Sequence, residues 1–259
     1  MSSPATEALS ERLAAYYTRY YRDTLGIPGW REIVAVRLAD RAYESQRLAQ
    51  LERAVGRPVR GCRLLNVGCG TGGFSALAEE AGAEVCSLDA STEAAALTAA
   101  RSLRGRVIAA VAESLPLARE SFDVVYCFST LEHVTDAGRA LAEMVRVLRR
   151  DGRLYLHTPN RWGCFEGHYK VFWLPGLPRW LSRTYLAARR RPAAFLDTLR
   201  PLTLGECRTL VERAGARVVR VVAEDANRPV GGRLWPLVRL YYRLFGVRPY
   251  IELVAARND

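Results

Sequence analysis

The sequence predicts an α/β fold: a mostly parallel, seven-stranded sheet with helices on both faces, an antiparallel edge strand and a helical N-terminal extension. Three observations carry this. From Arg60 onward, apolar runs of strand length alternate with helical patterns, the mark of a doubly wound sheet. The runs are apolar nearly throughout, as strands buried on both faces must be. One of them, residues 64–67, breaks into Gly68-Cys69-Gly70-Thr71-Gly72-Gly73, and a helical pattern follows at once. Strand, tight turn and helix therefore succeed one another without a linker.

Taken in order, residues 5–24 read as a helix, with Leu9, Leu13, Tyr16, Tyr17 and Tyr20 near helical spacing. Gly26, Pro28 and Gly29 end it. A second helix is expected over 30–55, carrying Ile33, Val36, Ala39 and Leu48 and stopped by Gly56 and Pro58. Together they form a helical extension, 1–58. Its tyrosine stripe reads as core packing against the following domain, with a lid over a ligand site as the functional alternative. The main domain, 59–259, has strands predicted at 62–68, 84–89, 106–111, 122–128 and 152–158, and helices at 72–82, 91–103, 135–149 and 203–215. An insertion after the fifth strand, 159–201, is rich in Trp, Tyr, Pro and Arg. Its length marks it as functional. A strand at 216–223 precedes a second insertion, 226–248, which holds a helix over 234–245 with Arg233, Arg239 and Arg243. The last strand, 250–256, joins late, which places the antiparallel pairing at one edge. Repeats and low-complexity tracts are absent.

Composition narrows the class. The chain has 259 residues, 49% of them apolar, enough for one large domain with insertions. Without a run of 18 apolar residues, a membrane-spanning helix is not expected. The first twelve residues lack the basic and apolar regions of a secretory leader. Cys62, Cys69, Cys86, Cys127, Cys164 and Cys207 form no C-x-x-C pair and fall mostly in apolar runs, so a reduced, cytoplasmic protein without structural disulfides or a zinc site is expected. The net charge is +11. Lys170 is the only lysine and the arginines are spread along the chain, so the charge does not read as a nucleic-acid interface. The partner expected is a small-molecule substrate. The basic, apolar segment 233–245 reads either as packing across the sheet edge or a dimer, or as a peripheral contact with the inner face of a membrane.

The glycine turn alone is ambiguous. Gly68, Gly70 and Gly73 fit the G-x-G-x-x-G dinucleotide pattern, whereas Gly68, Gly70 and Gly72 fit the G-x-G-x-G pattern of S-adenosylmethionine (SAM) enzymes. Asp89, closing the second apolar run, accepts ribose hydroxyls in either case. Later segments separate the two: A-E-S-L-P-L (112–117), S-F-D-V-V-Y-C (121–127), L-E-H-V (131–134) and L-R-R-D-G-R-L-Y-L-H-T-P-N-R (148–161), in that order. Over about residues 60–160 the chain resembles the Rossmann-like SAM-dependent methyltransferases of the type labelled methyltransferase domain 11. The helical N-terminus and the T-P-N-R-W…E-x-H segment also resemble bacterial members acting on glycans, lipids or secondary metabolites.

That resemblance implies site roles. Gly68, Cys69, Gly70 and Gly72 would cradle the methionine portion of SAM, and Asp89 would bind the ribose hydroxyls. Ala90 and Ser91 would flank the adenine, which Ala112 and Glu113 would contact. Cys127 would lie near the methionine amino group and the methyl donor. Asn66 stands where many relatives carry an acid that holds the methionine end, and Val111 where an Asp commonly accepts the adenine amino group. Weaker SAM binding is the consequence expected.

Methyl transfer from a sulfonium needs alignment and exclusion of water more than acid–base help, but a hydroxyl acceptor gains from a base. His133 and His168, with Glu166 two residues before the latter, are the candidates, whereas His157 reads as a core histidine. Glu132, His133, Glu166 and His168 have no compact metal-ligand spacing, so no metal is expected. The activity implied is methyl transfer to a hydroxyl of a sugar, glycolipid or secondary metabolite. The alternatives are nitrogen or carbon methylation, an NAD-dependent oxidoreductase, or a catalytically silent SAM-binding partner.

Overall fold

A computed structural model describes residues 4–222 and 234–258. The N-terminal helix α1 (Pro4–Thr18) runs on into a wider π-turn over Arg19–Thr24. The helix expected over 30–55 is two helices, α2 (Trp30–Leu38) and α3 (Arg41–Val55). The helical dihedrals are lost at Ala39 (φ −92°, ψ 44°). Beside that break the Asp40 carboxylate accepts two bonds from the Arg101 guanidinium, at 2.8 and 3.1 Å. Asp40 also packs so tightly on Gly73, which starts the helix after the first strand, that a Cβ there would lie 2.5 Å from its carboxylate.

The apolar runs become β1 (Arg63–Val67), β2 (Glu84–Asp89), β3 (Arg106–Ala109), β4 (Phe122–Phe128) and β5 (Leu148–Pro159). Between them lie α4 (Gly73–Glu80), α5 (Thr92–Arg101) and α6 (Ala137–Val147). Local chemistry sets several helix starts. The Ser91 hydroxyl accepts the Ala94 amide, and the Asp136 carboxylate accepts the Arg139 amide, each meeting one of the unpaired donors of a first turn. β3 is two residues shorter than predicted, because Ala110 and Val111 leave the sheet and line a cavity.

The insertion after β5 folds into a small hairpin, β6 (Phe165–Glu166) and β7 (Val171–Phe172), followed by α7 (Arg179–Ala188). Then come α8 (Leu204–Arg213), started by a Thr203–Glu206 capping box, and β8 (Ala216–Val221). Residue 223 of the expected strand, and the 226–233 part of the second insertion with Arg233, lie outside the described residues. α9 (Trp235–Phe245) and β9 (Tyr250–Arg257) complete the chain.

Among the described residues the main sheet has seven strands in the order β3-β2-β1-β4-β5-β9-β8. The first five pair in parallel, and β9 runs antiparallel to both β5 and β8. The antiparallel pairing is thus confined to one edge. The alternating side chains of each strand feed two cores. Leu65, Val67, Val125 and Leu156 pack under α6 and α8, while Leu64, Val124 and Tyr126 pack under α3 and α4. Each fully buried aliphatic side chain contributes about 1.5–3 kcal/mol. All six cysteines are buried and free. No described helix is long and apolar enough to cross a membrane.

Candidate active site

Strand order reverses between β1 and β4, where the chain first runs outward through β2 and β3 and then returns to the other side. A crevice must open beyond the C-terminal strand ends at such a point. A cavity of about 1040 Å³ lies there, walled by Val67, Asp89, Phe128 and Pro159 at the strand ends. Tyr16, Tyr17, Tyr20 and Tyr21 wall it from the N-terminal helices, and His168 and Lys170 from the β6–β7 hairpin. The tyrosine stripe therefore packs and faces the cavity at once: Tyr17 is 4% exposed, and its hydroxyl meets the Thr71 hydroxyl of the glycine turn at 2.5 Å.

The turn settles its own register. Gly68, Gly70 and Gly72 have φ of 73°, 56° and 81°, whereas Gly73 is the first residue of α4 and is not left-handed. The left-handed positions thus fall at G-x-G-x-G. Two of these glycines do different work. A Cβ on Gly68 would fall 2.0 Å from Thr130 Oγ1, so that position is closed by the protein itself. A Cβ on Gly70 meets nothing within 4 Å, so its surface is free for a ligand to approach.

Asp89 ties the turn to β2. Its carboxylate accepts the Gly70 amide at 2.8 Å and the Ser91 amide at 2.9 Å. Burial raises its carboxyl above the ordinary value, and these amide bonds offset part of that rise. Cys69, Ala90, Ala112 and Glu113 also line the cavity. Glu113 spends one carboxylate oxygen on the amides of Thr135 and Asp136, at 2.7 and 3.3 Å, and so fastens the loop after β4. Gly72 does not line the cavity but sits against Thr98.

Two expected cofactor contacts are not on the wall. Asn66 is 2% exposed and donates to Ser75 Oγ at 2.9 Å, facing α4 rather than the cavity. The period of a strand decides this: Val67, one residue on, takes the cavity side. Cys127 is likewise fully buried in the core, where burial raises its thiol. Phe128, Ser129 and Thr130, just past it, line the cavity instead.

The candidate basic residues do converge. After β4 a single 3₁₀ turn, Leu131–His133, buries Leu131 and Glu132 and turns His133 to the cavity. The β6–β7 hairpin brings His168 against it, with the two Nε2 atoms 3.2 Å apart and the rings at 81°. Glu166 Oε1 bonds His168 Nδ1 at 2.8 Å. Glu132 Oε2 accepts the Thr158 hydroxyl at 2.9 Å, while Glu132 Oε1 faces both imidazoles without a hydrogen-bond partner. Burial pushes the Glu132 carboxyl up to about 7. Burial, with the neighbouring His168, pushes His133 down to about 4. Burial works against the His168 imidazolium, but the Glu166 bond and the charges of Glu166 and Glu132 outweigh it and raise His168. His157 stands apart, stacked between Phe128 and Tyr250 at 4.0 and 4.9 Å.

Residues 65–156 match the family described as a methyltransferase domain. That stretch carries a methyltransferase domain. Over 129 residues it is 33% identical to a ubiquinone biosynthesis O-methyltransferase of Mesorhizobium japonicum, covering 46% of this chain and 52% of that one. A probable S-adenosylmethionine-dependent methyltransferase of Mycobacterium tuberculosis is 38% identical over 98 residues, 38% of this chain and 36% of that one. A solved S-adenosylmethionine-dependent methyltransferase from Mesorhizobium loti shares the fold, with a TM-score of 0.57 and 23% identity over 80% of this chain and 96% of its own. The chain spans about half the length of the first of these curated relatives.

The methyltransferase domain match holds the glycine turn, Asp89, Glu132 and His133, but stops short of the hairpin with Glu166 and His168. The sequence puts Glu166 and His168 forward as candidate basic residues, whereas Glu132 enters there only among possible metal ligands. Thr71, Phe128, Ser129 and Lys170 also line the wall without a local sequence pattern that marks them. The one available signal for Glu132 was an acid followed at once by a histidine after an apolar strand, and that pattern does not say which of the two faces inward.

Proposed function

We propose that this protein transfers the methyl group of SAM to a hydroxyl of a small molecule. One observation carries the reading: Gly68 and Gly70 of the turn, with Asp89, line the same cavity as His133 and His168. A donor held at the turn and an acceptor held at the imidazoles would then face each other.

The residues fit the donor. The open surface of Gly70 admits the methionine portion where a Cβ would project. The Asp89 carboxylate keeps lone pairs for ribose hydroxyls beyond its two amide bonds. Ala112 offers a backbone amide and an apolar surface to adenine. The acceptor hydroxyl docks at the imidazoles and loses its proton there. Its oxygen then attacks the methyl carbon, the carbon–sulfur bond breaks, and its electron pair returns to sulfur. The products are a methyl ether, S-adenosylhomocysteine and one proton. α1 and the start of α2 act as a lid, pinned to the turn through Tyr17 and Thr71, which excludes water from the reacting atoms.

Oxygen is favoured over nitrogen or carbon because the Mesorhizobium japonicum relative is named an O-methyltransferase. Tyr20, Phe128, Phe195 and Tyr250 give the acceptor end an aromatic wall, suited to a sugar-bearing or apolar ring-bearing acceptor. α9 exposes Leu237, Leu240, Leu244 and Phe245 beside Arg239 and Arg243. That combination suits contact with an anionic membrane surface and delivery of a lipid-linked acceptor. Calorimetry with SAM, S-adenosylhomocysteine and NADH, followed by product mass on hydroxylated acceptors, tests the reading. Tight NADH binding with no heat from either SAM species would overturn it.

A further inference from the structure

We infer that Glu132, His133 and His168 form a binding site for a divalent first-row metal ion of the zinc type. Spacing along the chain argues against a metal, since the hairpin histidine lies 35 residues from its partner. The fold removes that objection. Glu132 Oε1, His133 Nε2 and His168 Nε2 all lie within 4.8 Å of one another, at separations of 3.2, 3.9 and 4.0 Å. Bond lengths of about 2.0–2.2 Å to a tetrahedral ion set ligand atoms roughly 3.4 Å apart. The imidazole pair is already there, and the carboxylate oxygen needs to move only by about half an ångström.

A second observation points the same way. Glu132 is 1% exposed, yet its Oε1 has no hydrogen-bond partner and is aimed between the two imidazoles. An unpaired carboxylate oxygen in the interior is costly unless a cation meets it. The surroundings are also those of a ligand set. Glu166 bonds His168 Nδ1, which fixes the ring with Nε2 turned inward, and Thr158 holds the other Glu132 oxygen. Such outer partners orient metal-bound imidazole and carboxylate groups. Two nitrogens and one oxygen suit zinc, cobalt, iron or manganese better than magnesium, which prefers oxygen. Both histidines line the cavity, so the remaining coordination positions face the acceptor.

For its role, this inference rests on the methyl-transfer reading. Held by Glu132, His133 and His168, the ion would act as a Lewis acid that lowers the pKa of an acceptor hydroxyl, so that the proton would leave with solvent as the acceptor binds rather than pass to the two ligating imidazoles. The binding itself stands on the geometry alone.

The test uses full-length protein stripped with a chelator and dialysed against Zn²⁺, with bound metal measured directly and no SAM or acceptor present. Wild type is expected to retain one Zn²⁺ per chain in the presence of excess Mg²⁺. H168N and E132Q are expected to lose at least about 100-fold in affinity, and E166Q, altering an outer partner, about 10–100-fold. Melting and SAM calorimetry on the same samples report folding and the donor site. If E132Q does not fold, H133Q, on the cavity wall, reads the same loss. Wild type that retains no Zn²⁺, Co²⁺ or Mn²⁺, or retention indifferent to H168N and H133Q, would overturn the site. Failure of SAM to bind a metal-loaded wild type would instead overturn the methyl-transfer reading and leave the metal site standing.

Discussion

Replacing Gly68 and Gly70 separately by alanine divides the two tasks of the turn. Both positions are left-handed, at φ of 73° and 56°, so an alanine at either costs about 1–2 kcal/mol from the backbone. At Gly68 the added Cβ also lies 2.0 Å from Thr130 Oγ1 and 2.5 Å from its Cγ2. That hydroxyl bonds the carbonyls of Val67 and Phe128, both at 3.2 Å, and so ties β1 to the end of β4. Displacing it adds overpacking of about 1–3 kcal/mol, for a loss of about 2–5 kcal/mol in all, a large part of an ordinary domain's stability of about 5–15 kcal/mol. At Gly70 the Cβ meets no protein atom within 4 Å, so the loss of stability stays at the backbone cost. Its effect falls on the ligand, where SAM should bind at least about 10-fold more weakly, about 1.4 kcal/mol. Urea unfolding with and without SAM reads both quantities. Saturating SAM at about 100 times its Kd should add about 2.7 kcal/mol to wild type and less to G70A at the same concentration. G70A with wild-type SAM affinity, or G68A as stable as G70A, would refute this division.

Four further outcomes are expected. Asp89→Ala removes the acceptor of the Gly70 and Ser91 amides and should weaken SAM by about 10–100-fold in calorimetry, the range of charge-assisted hydrogen bonds. Tyr17→Phe removes the buried contact with Thr71 and should cost about 1 kcal/mol; in a double-mutant cycle with T71V the losses should be less than additive. In chelator-treated protein, Glu132 holds its proton more tightly folded than unfolded, because burial pushes it up to about 7 from 4.5. Its contribution is therefore full below pH 4.5 and lost as pH rises through 7, so E132Q should gain on wild type by about 3 kcal/mol between pH 4.5 and 8 in urea titrations. Double replacement of exposed Leu240 and Leu244 by Asp should abolish flotation with anionic liposomes and leave SAM affinity unchanged; equal flotation would remove the membrane role of α9.

Local sequence determined the elements and the donor end of this protein. A β1 run such as Leu64-Leu65-Asn66-Val67 is a strand from its apolarity alone, and a glycine turn directly behind it announces a ligand because both depend on neighbouring residues. The same local character explains where the reading failed. Whether Asn66 or Val67 faces the cavity depends on which sheet face receives α4, and one residue of phase reverses it. The break before Asp40 sits where Arg101, some sixty residues away, pairs with that carboxylate, and no helical pattern in 30–55 reports that pairing. The proposed acceptor end belongs wholly to tertiary structure. Glu132 and His133 come from a 3₁₀ turn after β4, Thr158 from β5, and Glu166 and His168 from a hairpin in the insertion. Only the sheet order, which sets β4 beside β5 and folds the hairpin over their ends, brings a buried carboxylate and two imidazoles to one point. Chemistry that needs three side chains within a few ångströms is a property of that convergence, and residue spacing along the chain does not encode it.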